Sequence, residues 1–151
     1  MSGARMVDVS GKDVTVRTAT ASGRVLVSAE VVQALRDGTV PKGDVLATAR
    51  VAGIVGAKKV PDIVPLCHPI ALHAVTVDLT VTDDGVAITA TTRTADRTGV
   101  EMEALTAVAV AGLALVDMVK AVDRGAVITD IRVEAKAGGR SGSWQRDQGA
   151  G

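Results

Sequence analysis

Aromatic side chains are almost missing from this chain. It has no Phe and no Tyr, and its one Trp, Trp144, stands close to the C-terminus. A core must therefore be packed from Val, Ala, Leu and Ile, and nucleic-acid binding by stacked aromatic rings is excluded. Cysteine is as scarce: the single thiol, Cys67, rules out an internal disulfide and fits a reducing compartment. Net charge is absent, with 17 Lys and Arg against 17 Asp and Glu. A neutral chain has no general attraction to nucleic acid or an anionic membrane, although a local basic cluster still suits a small anion. The N-terminal Met-Ser-Gly-Ala-Arg-Met-Val-Asp lacks the apolar centre of a signal sequence. The expectation is a cytoplasmic protein without a nucleic-acid or membrane partner.

What is present is aliphatic. Apolar residues make up 47% of 151, enough for one real core, and a single domain over 1–151 is expected. The stretch from Thr98 to Lys120 reads as one long helix, apolar on nearly every side. A helix of that kind is buried. Glu103, Asp117 and Lys120 interrupt its apolar surface, which argues against a membrane span. Charged groups at the ends of a buried helix need partners.

The rest of the chain arranges around that helix. Residues 1 to about 13 form a polar arm. Val14 to Val27 alternates as a first strand, with a bend at Gly23. Ser28 caps a short helix that Gly38 ends, and Asp44 caps a second running to about Lys58. Val60 to Pro69 holds three prolines and is expected to be an extended, stiff crossing. Ala71–Val81 and Val86–Thr91 pair as a hairpin about Asp83-Asp84-Gly85. Ala126 to Ala135 supplies a last strand, and the Gly/Ser-rich tail from about 137 to 151 is expected to be partly mobile. This order predicts an α+β sandwich, with helices on one face of a mainly antiparallel sheet.

Several residues invite a chemical reading beside a plain one. Thr98-x-x-Glu101 fits a capping box. Glu103 lies roughly 200° around the helix from Glu101 and has no such task, so it is the better ligand contact. Asp117 and Lys120, at i and i+3, are either a weak ion pair or a proton-transfer pair. Cys67 and His68 are adjacent and point apart in extended chain. With only His68, His73 and one thiol, no metal site is expected. Lys136-Ala137-Gly138-Gly139-Arg140-Ser141-Gly142 suits phosphate binding or is simply a solvated tail.

Taken together, the motifs are more specific. Lys42-Gly43-Asp44-Val45, Ala47-Thr48-Ala49-Arg50, Pro65-Leu66-Cys67-His68-Pro69, Thr98-Gly99-Val100-Glu101-Met102-Glu103, Asp117-Met118-x-Lys120-Ala121 and Lys136-x-Gly138-Gly139-Arg140-Ser141-Gly142 occur in one order and spacing. With Met6-Val7-Asp8-Val9-Ser10, Lys12 and Arg17, they resemble the cyclic pyranopterin monophosphate synthase family, the MoaC proteins of molybdenum cofactor biosynthesis. The resemblance runs from about residue 6 to 142. It departs from the common pattern at Ala137, where Ser or Thr is usual, and at Arg140, often Lys.

The resemblance implies a ferredoxin-like fold and a lyase that rearranges a cyclised dihydro-GTP to cyclic pyranopterin monophosphate with loss of diphosphate. It implies no cofactor and no metal. It implies a cytoplasmic homohexamer, a trimer of dimers, with sites at dimer interfaces. Carried over by position, Asp117 is the catalytic acid/base with Lys120 beside it. Leu66, Cys67, His68, Met102 and Glu103 hold the base-derived part of the substrate. Lys42, Lys136 and Arg17 are further contacts or catalytic assistants, and Glu101 is a contact beside its capping reading. Glu103 and Asp117 are about 21 Å apart on a straight helix, so one pocket lined by both needs two subunits. Two other readings stay open: an inactive paralogue serving as a ligand-binding or assembly module, and a metal hydrolase on His68 and His73.

Overall fold

The computed structural model describes residues 3–147. What the sequence suggested for residues 1–2 and 148–151, the ends of the arm and tail, lies outside the described residues. The elements are β1 (Thr15–Leu26), α1 (Ala29–Asp37), α2 (Val45–Ala57), α3 (Val60–Ile63), β2 (Leu72–Val81), β3 (Gly85–Asp96), α4 (Glu101–Val119), β4 (Val127–Ala137) and β5 (Trp144–Gln145). The strands form one sheet in the order β2-β3-β1-β4-β5, every pair antiparallel. Leaving β5 aside, this is a split βαββαβ sandwich, consistent with a ferredoxin-like α+β fold.

The missing aromatics shape the packing. The inward residues of β1 are Ala19, Ala21 and Val25, those of β3 are Val86, Ile88 and Ala90, and those of β2 are Val77 and Leu79. Facing them, α4 buries Ala104, Ala107, Val108, Ala111, Gly112 and Leu115. Small side chains fill a core only if the backbones come close. Helix α2 meets α4 through Gly53 and Gly56. A methyl on Gly53 would fall 2.8 Å from the carbonyl oxygen of Ala107, and one on Gly56 would fall 2.7 Å from Val110. The outer sheet face is polar and open, with Thr76, Asp78, Thr80, Thr89, Thr91 and Arg93 exposed. This is the alternation a one-sided antiparallel sheet requires.

Three expectations need correction. The segment from Val60 is not extended throughout, because Val60–Ile63 forms a helical turn with Pro61 in its first turn. Proline is tolerated there, since the N–H it lacks would have no intrahelical partner. The long helix starts at Glu101 rather than Thr98. Its N-cap is Val100, and no side chain caps it, so the capping box does not form. The helix is also not enclosed all round. Leu113 is 60% exposed and Met102 37%. Beyond these, the described part of the tail carries a short strand that folds back onto β4. Trp144 pairs with Lys136 and Gln145 with Ala135, and Arg146 donates to the carbonyls of Glu134 at 2.7 Å and Val133 at 2.8 Å. Its guanidinium lies 5.5 Å from the Trp144 ring centre, within cation–π range.

Other readings hold. Ser28 and Asp44 cap α1 and α2, accepting N–H groups of Val31 and Ala47, and Gly38 ends α1 at φ 70°. β1 keeps its register with β3 through Gly23, and the irregularity at the expected bend is a slip of register with β4 between Ser22 and Arg24. Helix α4 is long and apolar enough to cross a membrane, and half of it is buried inside the fold, as core helices are.

Candidate active site

The ion-paired end of α4 is its C-terminal one. Asp117 accepts from Lys120 Nζ at 2.7 Å and from Lys42 Nζ at 2.9 Å, one ammonium on each oxygen. Lys120 follows one helical turn later. Lys42 arrives from 75 residues away because its loop is pinned: Gly38 ends α1, Asp44 starts α2, and Gly43 N–H bonds the carbonyl of the buried Val40 at 3.1 Å. The hydrogen bonds from Lys120 and then Lys42 pull the Asp117 carboxyl down to about 2. It is ionised at neutral pH. About half of each side chain stays open to solvent.

At the other end of α4 the structure gathers Leu66, Cys67, His68 and Met102 around one cavity of about 450 Å³, together with Thr98 and the arm residues Val7, Val9 and Lys12. The His68 ring nitrogen Nε2 bonds the Val7 carbonyl and so holds the arm across this cavity. Since a carbonyl only accepts, Nε2 carries the proton. Burial pushes the Cys67 thiol up, and the carboxylate of Glu103 adds to the effect.

Lys12 also lines a second cavity of about 540 Å³, so the two adjoin. This one is basic and glycine-built, with Arg17, Gly139, Arg140 and Ser141 in its wall. Gly138 and Gly139 take φ of 92° and 77°, a region that side chains with a Cβ avoid. A methyl on Gly139 would fall 2.1 Å from Arg17 Nη1. Lys136 joins the loop by donating to the Ser141 hydroxyl.

Glu103 lines neither of these two cavities, although it is near enough to Cys67 to act on its thiol. It is buried, at 2% exposure, with no hydrogen-bond partner on Oε1 among the described residues. It faces a third cavity of about 520 Å³ lined by apolar side chains, Lys58 and His73. Burial, with the nearby charge of Glu101 adding to it, raises its carboxyl above the ordinary value of 4.5. Glu101 itself folds back over Gly99, where a methyl would sit 2.3 Å from its Oε2.

A raised carboxyl favours the neutral form in the fold. The stability it contributes is complete below the unfolded value and is lost as pH rises through the folded value. The melting temperature of the wild type should therefore fall relative to that of Glu103→Gln as pH climbs from about 4 to about 8. A constant offset across thermal melts in that range would contradict this account of Glu103.

Sequence reasoning missed three features of this geometry. Lys12 joins two cavities, Lys42 grips the same carboxylate as Lys120, and His73 lines the same cavity as Glu103. The resemblance marks Lys12 as a motif member and Lys42 as a contact or catalytic assistant, but nothing local in the sequence says which partner a loop lysine will meet. Among the described residues no three His, Cys, Asp or Glu side chains gather as a metal ion would require.

The Asp117 cluster at one end of α4 can exchange protons, and the basic glycine-lined cavity near the other can hold a small anion. The model of the MoaC family matches residues 6–139, and the chain belongs to that family. It is 71% identical over 143 residues to the cyclic pyranopterin monophosphate synthase of Streptomyces coelicolor, covering 95% of this chain and 84% of that protein. It is 69% identical over 146 residues to the protein of that name from a Nocardioides species, covering 95% and 90%. With cyclic pyranopterin monophosphate synthase 2 of Mycobacterium tuberculosis it shares 59% over 143 residues, covering 95% and 86%.

Proposed function

We propose that the chain is a cyclic pyranopterin monophosphate synthase. It converts (8S)-3',8-cyclo-7,8-dihydroguanosine 5'-triphosphate to cyclic pyranopterin monophosphate and diphosphate, a step of molybdenum cofactor biosynthesis. The observation that carries this reading is the 71% identity, across 95% of the chain, to a relative of that name. The geometry fits the chemistry. The Leu66–Met102 cavity takes the base-derived rings, and the adjoining basic cavity takes the phosphates through Lys12, Arg17, Arg140 and the glycine-loop N–H groups.

The proton chemistry falls to Asp117, Lys42 and Lys120. Asp117 is held as a carboxylate, so in the free protein it can accept a proton but has none to give. The two lysines are the donors. A triphosphate drawing one ammonium away from Asp117 would raise its basicity at the moment substrate is bound. Ring bonds then open and reclose as protons move between nitrogen and oxygen. A sugar-derived hydroxyl attacks the innermost phosphate, and the cations stabilise the diphosphate that leaves.

One chain does not supply a whole site, because the Asp117 cluster and the Met102 cavity are at opposite ends of α4. The open side of that helix fits a second copy. Met102, Thr106, Ala109, Leu113, Val116 and Lys120 recur at i, i+3 or i+4 along one stripe, and Val51 and Val55 of α2 are exposed as well. Two such helices packed antiparallel about a two-fold axis bring the cavity of one subunit to the Asp117 of the other. Three such dimers make the expected hexamer, and the cytoplasm is its expected location.

The test is direct. Purified protein given the cyclised nucleotide should release diphosphate and form the pterin stoichiometrically. Binding without turnover would replace this reading with that of an inactive binding module.

A further inference from the structure

Asp96 ends β3 and belongs to none of the motifs above, yet it bonds three segments that lead into the two adjoining cavities. Its Oδ2 accepts the N–H of Ala71 at 3.0 Å and its Oδ1 that of Arg97 at 2.8 Å. Ala71 closes the loop that carries Leu66, Cys67 and His68. Arg97 opens the connection to α4 that carries Thr98 and Met102. The backbone carbonyls of Asp96 and Arg97 accept from Arg17 Nε at 3.1 Å and Nη2 at 3.4 Å. The other edge of that guanidinium lies beneath Gly139.

We propose that Asp96 is a positioning residue, which fixes the Cys67–His68 loop against the start of α4 and, through Arg17, keeps both in register with the glycine loop. The proposal rests on the reading that these segments hold the substrate. Both backbone polar groups of Ala71 are fastened, because the Thr94 hydroxyl donates to its carbonyl. The Asp96 carboxylate supplies the charged half of that fastening, where hydrogen bonds are strongest. The Ala71 and Arg97 N–H groups hold the Asp96 carboxyl below the usual carboxylate range, as expected for one that is bonded in its ionised form. Arg17 cannot do this alone, since a guanidinium has no acceptor for the Ala71 N–H.

The chain's only thiol, half-buried Cys67, reports on that loop without reference to turnover. Alkylation of Cys67 by iodoacetamide should be about fivefold faster in Asp96→Ala than in the wild type, with melting temperature little changed. Asp96→Asn keeps one acceptor oxygen and should fall between the two. In the same variants KM for the cyclised nucleotide should rise by a similar factor while kcat changes little. Equal alkylation rates in all three proteins would overturn the proposal even if activity fell. An Asp96→Asn variant as reactive as Asp96→Ala would overturn it too. Faster alkylation in a protein with no turnover at all would uphold the brace and sink the synthase reading instead.

Discussion

Asp117→Asn should lower diphosphate release by about a thousandfold and leave the fold intact. The size follows from what is lost. Asn has the shape of Asp but cannot accept a proton, and it offers one acceptor oxygen to two ammonium groups. Lys42 and Lys120 then lose the charge that holds them, and neither is aimed at the reacting atoms. The fold should not notice, because all three side chains are about half exposed and exposed ion pairs add little to stability. Steady-state release of diphosphate, read beside a thermal melt, separates the two effects. Turnover within about tenfold of wild type would remove Asp117 from the chemistry and leave the cluster as a surface ion pair.

Mixing two impaired proteins should restore activity. A His68→Ala variant loses its hold on the arm and the ring cavity, a misplacement worth about a hundredfold. Asp117→Asn is impaired at the far end of α4. If each site takes its cavity from one subunit and its carboxylate from the other, a mixed dimer contains one intact site and one doubly damaged one. Random exchange makes half the dimers mixed, so about a quarter of wild-type activity should return. Assay of the unselected co-expressed mixture measures it, with two affinity tags to verify that mixed dimers have formed. Sites built within single subunits would gain nothing from mixing, and the two-fold arrangement of α4 would then be wrong.

The order of elements was legible because it is written in local chemistry. Ser28, Gly38 and Asp44 are caps that act within four residues, and Val75 to Val81 alternates on a strand that buries one face. The expectation failed where a local rule has two outcomes. Three prolines in Val60–Pro69 suggested extended chain, but Pro61 sits in the one part of a helix that admits it. Thr98 and Glu101 had the spacing of a capping box, yet the first helical turn begins at Glu101 and leaves Thr98 outside. The paired role of Lys42 was not readable at all. An ion pair across 75 residues is fixed by how α1, α2 and α4 pack, and no spacing along the chain encodes that. The setting of Glu103 shows the same limit, since the cavity it lines is built by β2 and α2.

The folded-back edge has a practical side. Trp144 is the only strong fluorophore of the chain, and it stands on β5, beside Lys136 and beneath Arg146. Light emitted by this protein therefore describes the rim of the glycine loop and says little about the aliphatic interior. A shift in its emission when phosphate-bearing compounds are added registers events at that rim, while loss of the core must be followed through the peptide bonds themselves.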